Sequence, residues 1–317
     1  AVTLTLTANG TNGQQASDSV VINIEQAHLM VVSSGSQFQT ICEGDAISDT
    51  DFTVSNGATS AVLVGAPPGI ALTPISAGVF RLSGVPTASI STPTTFVFDV
   101  LSSGNQCSIV TRSVSISVHP DDEMFLTSGS LFQTVCEGEP IEDITYALAG
   151  GSTNAVVSGL PSGVSYIVNN GIITISGTPT DDISTSTAYT YTLTSIGSCA
   201  PTYLQGVITI EPNHEIQLTS NNGNQTVDQG ASINPVTYSI RGGATGAQIA
   251  WDVAPSGLVF NYDIVAGTVT ISGAVTGNIT TQTVYTYIVT TTGNSCDQSS
   301  YSGTITVNPV EINPTET

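Results

Sequence analysis

The stretch Tyr189-Thr190-Tyr191-Thr192-Leu193-Thr194 alternates a large apolar residue with a threonine, one for one. Side chains of an extended strand point to opposite faces in turn, so this period of two gives one face for a core and one for water. A helix would scatter the same residues around its axis. Two other stretches read the same way: Phe96, Phe98 and Val100 alternate with Val97 and Asp99, and Tyr285, Tyr287 and Val289 alternate with Thr286, Ile288 and Thr290. Each is followed by a second alternating run, through Val114, Ile116 and Val118, then Ile208 and Ile210, then Ile305 and Val307. Glycine, proline and β-branched residues interrupt every helical candidate.

Working outward, the chain repeats itself. Gln39-Thr40-Ile41-Cys42-Glu43-Gly44 returns as Gln133-Thr134-Val135-Cys136-Glu137-Gly138 and, more weakly, as Gln225-Thr226-Val227-Asp228-Gln229-Gly230. The steps are 136 − 42 = 94 and 228 − 136 = 92 positions. The landmarks Ser83-Gly84, Ser176-Gly177 and Ser272-Gly273 keep the same interval, at 93 and then 96. Periods of this size exceed those of solenoid units, so each repeat is expected to fold as a domain. The expected boundaries are 27–120, 121–213 and 214–309. Residues 1–26 match the C-terminal part of a preceding repeat, and 310–317 match the first strand of a following one. That arrangement predicts a polypeptide continuing in both directions. Six to eight short strands per repeat predict an all-β chain of tandem antiparallel immunoglobulin-like, Greek-key β-sandwiches set out as an extended rod.

Composition narrows the function. With 24 acidic and 3 basic residues the 317-residue chain carries a net charge of −21, which excludes a nucleic acid or anionic membrane held by charge. All three cations are arginines, Arg81, Arg112 and Arg241. Without lysine there is no Schiff base, no phosphate-loop lysine and no lysine-to-asparagine isopeptide bond. No stretch is long enough to insert as a membrane helix.

Gly159-Leu160-Pro161-Ser162-Gly163-Val164, followed by Gly171 to Thr180 and by Tyr189-Thr190-Tyr191, resembles the immunoglobulin-like, cadherin-like repeats of bacterial surface proteins. Pro67-Pro68-Gly69-Ile70 with Ser83-Gly84, and Pro255-Ser256-Gly257-Leu258 with Ser272-Gly273, keep the frame. The added Cys-Glu-Gly element is similar to the long repeat arrays of Bacteroidetes surface adhesins, including SprB-type gliding-motility adhesins exported by the type IX system. The resemblance implies an extracellular, cell-surface stalk whose partners are adjacent repeats of the same polypeptide. Surface glycans or a substratum would be contacted through other regions. Two other functions stay open: an accessory or carbohydrate-binding region of a secreted polysaccharide-degrading enzyme, and a fibre subunit that assembles by strand complementation.

Cysteines occupy matching places. Cys42 and Cys107 lie 65 apart in the first repeat, Cys136 and Cys199 lie 63 apart in the second, and the third holds Cys296 opposite Asp228. The agreement predicts intradomain disulfides Cys42–Cys107 and Cys136–Cys199, with Cys296 unpaired. Buried reduced thiols are the alternative; the spacing does not suit zinc.

His28, His119 and His214 fall at the expected junctions, beside Asp121, Asp122, Glu123, Glu211 and Glu215. Acidic oxygen ligands there could hold Ca2+ and stiffen the array, or these residues could simply be solvated linker. With histidines confined to junctions, a hydrolytic triad has no base, and no enzyme activity is expected. Carboxylate pairs Asp49 with Asp51, Glu142 with Asp143, and Asp181 with Asp182 sit in turn-like stretches suited to capping. Paired aromatics are read as core, whereas Trp251, unique to the third repeat, could serve as core or as an exposed platform for a sugar ring.

Overall fold

The computed structural model describes residues 1–220 and 222–310. It begins with a hairpin, β1 (Val2–Asn9) and β2 (Gln15–Ile22). A first set of eight strands follows: β3 (His28–Ser34), β4 (Phe38–Cys42), β5 (Thr50–Asn56), β6 (Ala58–Val64), β7 (Ile70–Ser76), β8 (Val79–Gly84), β9 (Thr94–Gly104) and β10 (Thr111–His119). The second set is β11 (Asp122–Ser128), β12 (Phe132–Cys136), β13 (Ile144–Gly150), β14 (Ser152–Ser158), β15 (Val164–Asn169), β16 (Ile172–Gly177), β17 (Thr187–Gly197) and β18 (Tyr203–Glu211). The third is β19 (His214–Leu218), β20 (Asn224–Asp228), β21 (Val236–Gly242), β22 (Ala244–Trp251), β23 (Leu258–Asp263), β24 (Thr268–Gly273), β25 (Thr283–Gly293) and β26 (Ser300–Asn308). Among the described residues no helix is long and apolar enough to cross a membrane. The expected 310–317 strand lies, apart from Val310, outside the described residues.

Each set forms two four-stranded sheets, ordered β3-β5-β8-β7 and β4-β10-β9-β6 in the first, with the same order repeated in the second and third. These are the two sheets of an immunoglobulin-like sandwich. The all-β, tandem-sandwich expectation holds. One pairing in each set is parallel: β4 on β10, β12 on β18 and β20 on β26. Two compact units divide the chain. One comprises Ala1–Met124, Leu148–Asn154 and Ser195–Thr202; the other comprises Phe125–Ala147, Ala155–Thr194 and the described residues from Tyr203 onward.

The alternating runs supply the cores. In the first set Phe98, Val100, Val114, Ile116 and Val118 face Met30, Phe52, Val54, Phe80 and Leu82 from the opposite sheet, all buried. In the third set Tyr287, Val289, Ile305 and Val307 meet Tyr238, Ile240, Val269 and Ile271. The opposite face of each hairpin, threonine-rich in the second and third sets, lies toward the surface, as the period of two requires.

The repeated glycine frame has a steric cause. Gly84 pairs with Ile70, Gly177 with Val164 and Gly273 with Leu258. All three have positive φ, and a Cβ on any of them would run into the carbonyl oxygen of Gly69, Gly163 or Gly257 respectively. Only glycine allows the two backbones to approach this closely.

The glutamine that opens each copy of the repeated motif is a clamp that sequence reading missed. The Gln133 side chain accepts from the Glu142 N–H at 2.9 Å and donates to the Glu142 carbonyl at 2.8 Å. Gln39 does the same to Ser48, at 2.7 and 2.8 Å, and Gln225 to Asn234, at 2.9 and 2.7 Å. In every set the reach is nine residues along the chain, and the side-chain amide suits it because its oxygen accepts while its nitrogen donates.

Candidate functional site

The chemistry-bearing feature of the chain is its cysteines, and two elements position them. One is the short parallel strand: Cys42 ends β4 opposite His119, Cys136 ends β12 opposite Glu211, and Asp228 ends β20 opposite Asn308. The chain then turns away, with Glu43 N–H donating to the His119 carbonyl at 2.8 Å and Glu137 N–H to the Glu211 carbonyl at 2.9 Å. The other element is the loop between the last two strands of each set, which carries Cys107, Cys199 and Cys296.

Two disulfides form, and they differ from the sequence expectation. Cys42 bonds Cys199 with Cα atoms 5.7 Å apart, and Cys136 bonds Cys296 with Cα atoms 5.5 Å apart. Cys107 is the free cysteine, and Cys296 is bonded. The intradomain pairings Cys42–Cys107 and Cys136–Cys199 are therefore incorrect, for a geometric reason. Cys42 sits level with His119, the last residue of nine-residue β10, whereas Cys107 precedes that strand. A strand of that length spans about 30 Å, far beyond the roughly 7 Å between Cα atoms that a disulfide can bridge. Matching spacings within repeats reflected matching places, but at opposite ends of one sandwich. Each first cysteine is instead joined to the loop cysteine of the next set.

Two of the three junction histidines, His28 and His214, are buried in hydrogen bonds. His28 is buried, with Nδ1 2.8 Å from Ser102 Oγ and Nε2 3.1 Å from Asn105 Oδ1. Asn105 in turn donates to the Gln26 carbonyl at 3.0 Å and accepts from the Cys107 N–H at 3.0 Å. His214 repeats the pattern with Thr291 at 3.0 Å and Asn294 at 2.9 Å, and Asn294 holds the Pro212 carbonyl and the Cys296 N–H. A histidine–asparagine pair thus ties the linker to the cysteine loop. In the second set Asp122 replaces the histidine and Ser198 the asparagine. Asp122 is buried and accepts from Ser195 at 2.8 Å through Oδ2, but its Oδ1 has no partner.

The remaining acidic candidates are dispersed. Asp121 and Glu123 are exposed and bond through backbone atoms, to Gly151 and Ser152. Glu211 accepts from Ser186 at 2.7 Å, and Glu215 lies exposed on β19 across from Arg241. Among the described residues no three His, Cys, Asp or Glu side chains gather as a metal would require. Of the carboxylate pairs, Asp49 and Asp51 grip Arg81 at 3.0 and 2.8 Å. The Arg81 hydrogen bond holds the Asp51 carboxyl below the usual carboxylate range. Asp181 accepts from the Ser162 N–H at 3.0 Å, and bonding to Ser162 lowers its pKa.

The inward-facing aromatics of the long alternating strands are packed. Phe98, Tyr191 and Tyr287 are buried, and Trp251 lies half-buried with its ring 5.1 Å from that of Tyr287. The Tyr146 and Tyr191 hydroxyls hydrogen-bond at 3.0 Å, and those of Tyr238 and Tyr287 at 2.9 Å. The Tyr287 hydroxyl donates a hydrogen bond to the Gly223 carbonyl at 2.7 Å. Burial pushes all four phenols above their ordinary pKa.

No family model matches the sequence, and no curated protein matches it. Solved structures do. A three-immunoglobulin-domain I-band fragment of titin, I67–I69, is similar over 90% of this chain and 100% of its own, with a TM-score of 0.62 at 11% identity. A variant of the same fragment gives 0.61 at 10% identity. Protocadherin gamma B2 extracellular cadherin domains 1–5 align over 98% of this chain and 72% of theirs, with a TM-score of 0.44 at 12% identity. The likeness to the titin fragments is one of fold. The chain is an array of immunoglobulin-like sandwiches, cross-linked from set to set by disulfides.

Proposed function

We propose that the chain is a load-bearing stalk segment of a long extracellular surface adhesin, in which the spans 27–120, 121–213 and 214–309 are successive modules. The observation that carries this reading is the pairing of Cys42 with Cys199 and of Cys136 with Cys296. A cross-link inside one module would protect only that module; these two overlap along the chain and give tension an alternative covalent path. Between Cys42 and Cys296 the backbone runs 296 − 42 = 254 positions, but the path through both disulfides uses only the 63 between Cys136 and Cys199. At a limit of about 3.6 Å per residue, that is roughly 230 Å of stretched chain instead of about 910 Å. Disulfides of this kind persist outside the reducing cytosol, which supports the extracellular setting. The threonine-rich, negatively charged exterior would keep many parallel copies from clumping. The glycine frame and Cys-Glu-Gly element support a Bacteroidetes adhesin exported by the type IX system, acting in adhesion or gliding, with the adhesive contact made by other regions.

Single-molecule stretching of the chain held by its ends tests the proposal. Adding a reductant should lengthen the fully extended molecule by about 690 Å. Equal lengths with and without reductant would sink it.

A further inference from the structure

We propose that Cys107 is the receiving half of a third link in the same ladder, bonded in the mature protein to a cysteine of the preceding repeat of the same polypeptide. The inference rests on the stalk reading and extends it to a specific covalent partner.

Two independent observations lead to it. The first is positional equivalence. Cys199 Sγ lies 3.6 Å from the His119 carbonyl oxygen, and Cys296 Sγ lies 3.8 Å from that of Glu211. His119 and Glu211 are the residues level with the partner cysteines, Cys42 and Cys136. Cys107 Sγ lies 3.8 Å from the carbonyl oxygen of Glu25. The free sulfur is therefore held against the residue that would stand level with its partner. The Asn105 clamp that places it is the same as the Asn294 clamp that places bonded Cys296.

The second is the β1–β2 hairpin. Leu4 faces Val20 and Val2 faces Ile22, the register in which Tyr191 faces Gly206 and Tyr189 faces Ile208. It is the closing hairpin of a sandwich. Yet Leu4, Leu6, Val20 and Ile22, whose counterparts are core, are 53, 76, 58 and 44% exposed. The missing cover includes a short strand running parallel to β2, as β12 runs on β18, and ending in a residue level with Glu25.

The occupant is a Cys-Glu-Gly-type strand of the same chain, not a second copy of this segment. A copy docking by its third set would bring Asp228 to the cysteine position, where it accepts from Asn308 at 3.2 Å, and its β20 is already paired with β26. The two observed links span 157 and 160 positions, which places the partner about 50 residues ahead of Ala1. Closure is a two-electron oxidation: the two thiols lose two protons and two electrons to a disulfide oxidant such as glutathione disulfide, which leaves as two glutathione thiols.

The test is a peptide map of the native full-length protein, alkylated and digested without reductant. The expected result is the Cys107 peptide joined to one from about 50 residues upstream of Ala1, its cysteine preceded by a parallel-strand sequence like Gln-Thr-Val. Alkylated Cys107, or Cys107 joined to any other thiol, would overturn the inference. The same digest reports Cys42–Cys199 and Cys136–Cys296. Cys107 alone found free refutes only the third link; all five cysteines found reduced refutes the stalk reading with it.

Discussion

Tyr191 stands directly across the β17–β18 ladder from Gly206, and its hydroxyl occupies the space that a Cβ on that glycine would need. The same relationship joins Tyr287 to Gly303 in the third set. In the first set the tyrosine is Phe98, and the residue opposite it is Val114. One oxygen on the ring exchanges for a side chain across the strand. Replacing Gly206→Val should therefore overpack the core and destabilise by about 2 kcal/mol. Adding Tyr146→Phe and Tyr191→Phe, which reproduces the first set, should recover most of that loss. Urea unfolding of the single and triple variants measures it; an additive result would show that the hydroxyl and the glycine are independent.

Alkaline titration should expose the buried phenol pairs. Tyr146, Tyr191, Tyr238 and Tyr287 have folded pKa values above the ordinary phenol value because burial penalises the phenolate. A raised folded pKa leaves stability intact below the unfolded value, about 10, and removes it as pH rises through the folded one. Ultraviolet titration should show these four ionising together with unfolding above pH ~10. Substituting Tyr238→Phe with Tyr287→Phe should weaken the pH dependence in the alkaline range. An unchanged slope would contradict the linkage.

Asp122 is the weak member of the junction. Its Oδ1 is buried without a partner, and a Cβ on Gly197 would touch both that oxygen and the Gly151 carbonyl, so two acceptors sit side by side. Asp122→Asn keeps an oxygen for Ser195 and turns the other position into a donor. The exchange should stabilise by about 1 kcal/mol in thermal or urea unfolding at neutral pH. Destabilisation would mean that the carboxylate has a partner in solution.

How far the sequence could be read followed from the range of each signal. The alternation at Tyr189–Thr194 and the glycine frame at Gly163 and Gly177 are local, and strand, sandwich and repetition all emerged from them. The cysteine partners did not, because spacing within a repeat is blind to which end of a sandwich a residue occupies. The decisive clue was the level pairing of Cys42 with His119, a parallel contact between strands 77 positions apart. His28 and His214 looked like linker residues because each is the first of its strand. Their burial depends on Asn105 and Asn294, some 80 positions away, and the joint change to Asp122 and Ser198 in the second repeat was the available signal.

Asn294 offers a way to loosen one link while sparing the other. Its side chain meets His214 Nε2 at 2.9 Å, the Pro212 carbonyl at 3.0 Å and the Cys296 N–H at 3.0 Å, so one amide makes three of the contacts that anchor the loop bearing Cys296. Asn294→Ala takes the partner from His214 Nε2 and from the Cys296 N–H, a local loss of about 1.4 kcal/mol or more. If reduction proceeds through opening of that loop, dithiothreitol should cleave Cys136–Cys296 roughly tenfold faster in the variant. Cys42–Cys199 carries Ser198 at the corresponding place and should react at its original rate. Timed alkylation with mass spectrometry follows each bond separately. Equal acceleration of both would show a general loosening of the chain, and no acceleration of either would mean that the thiol reaches Cys136–Cys296 without the loop opening.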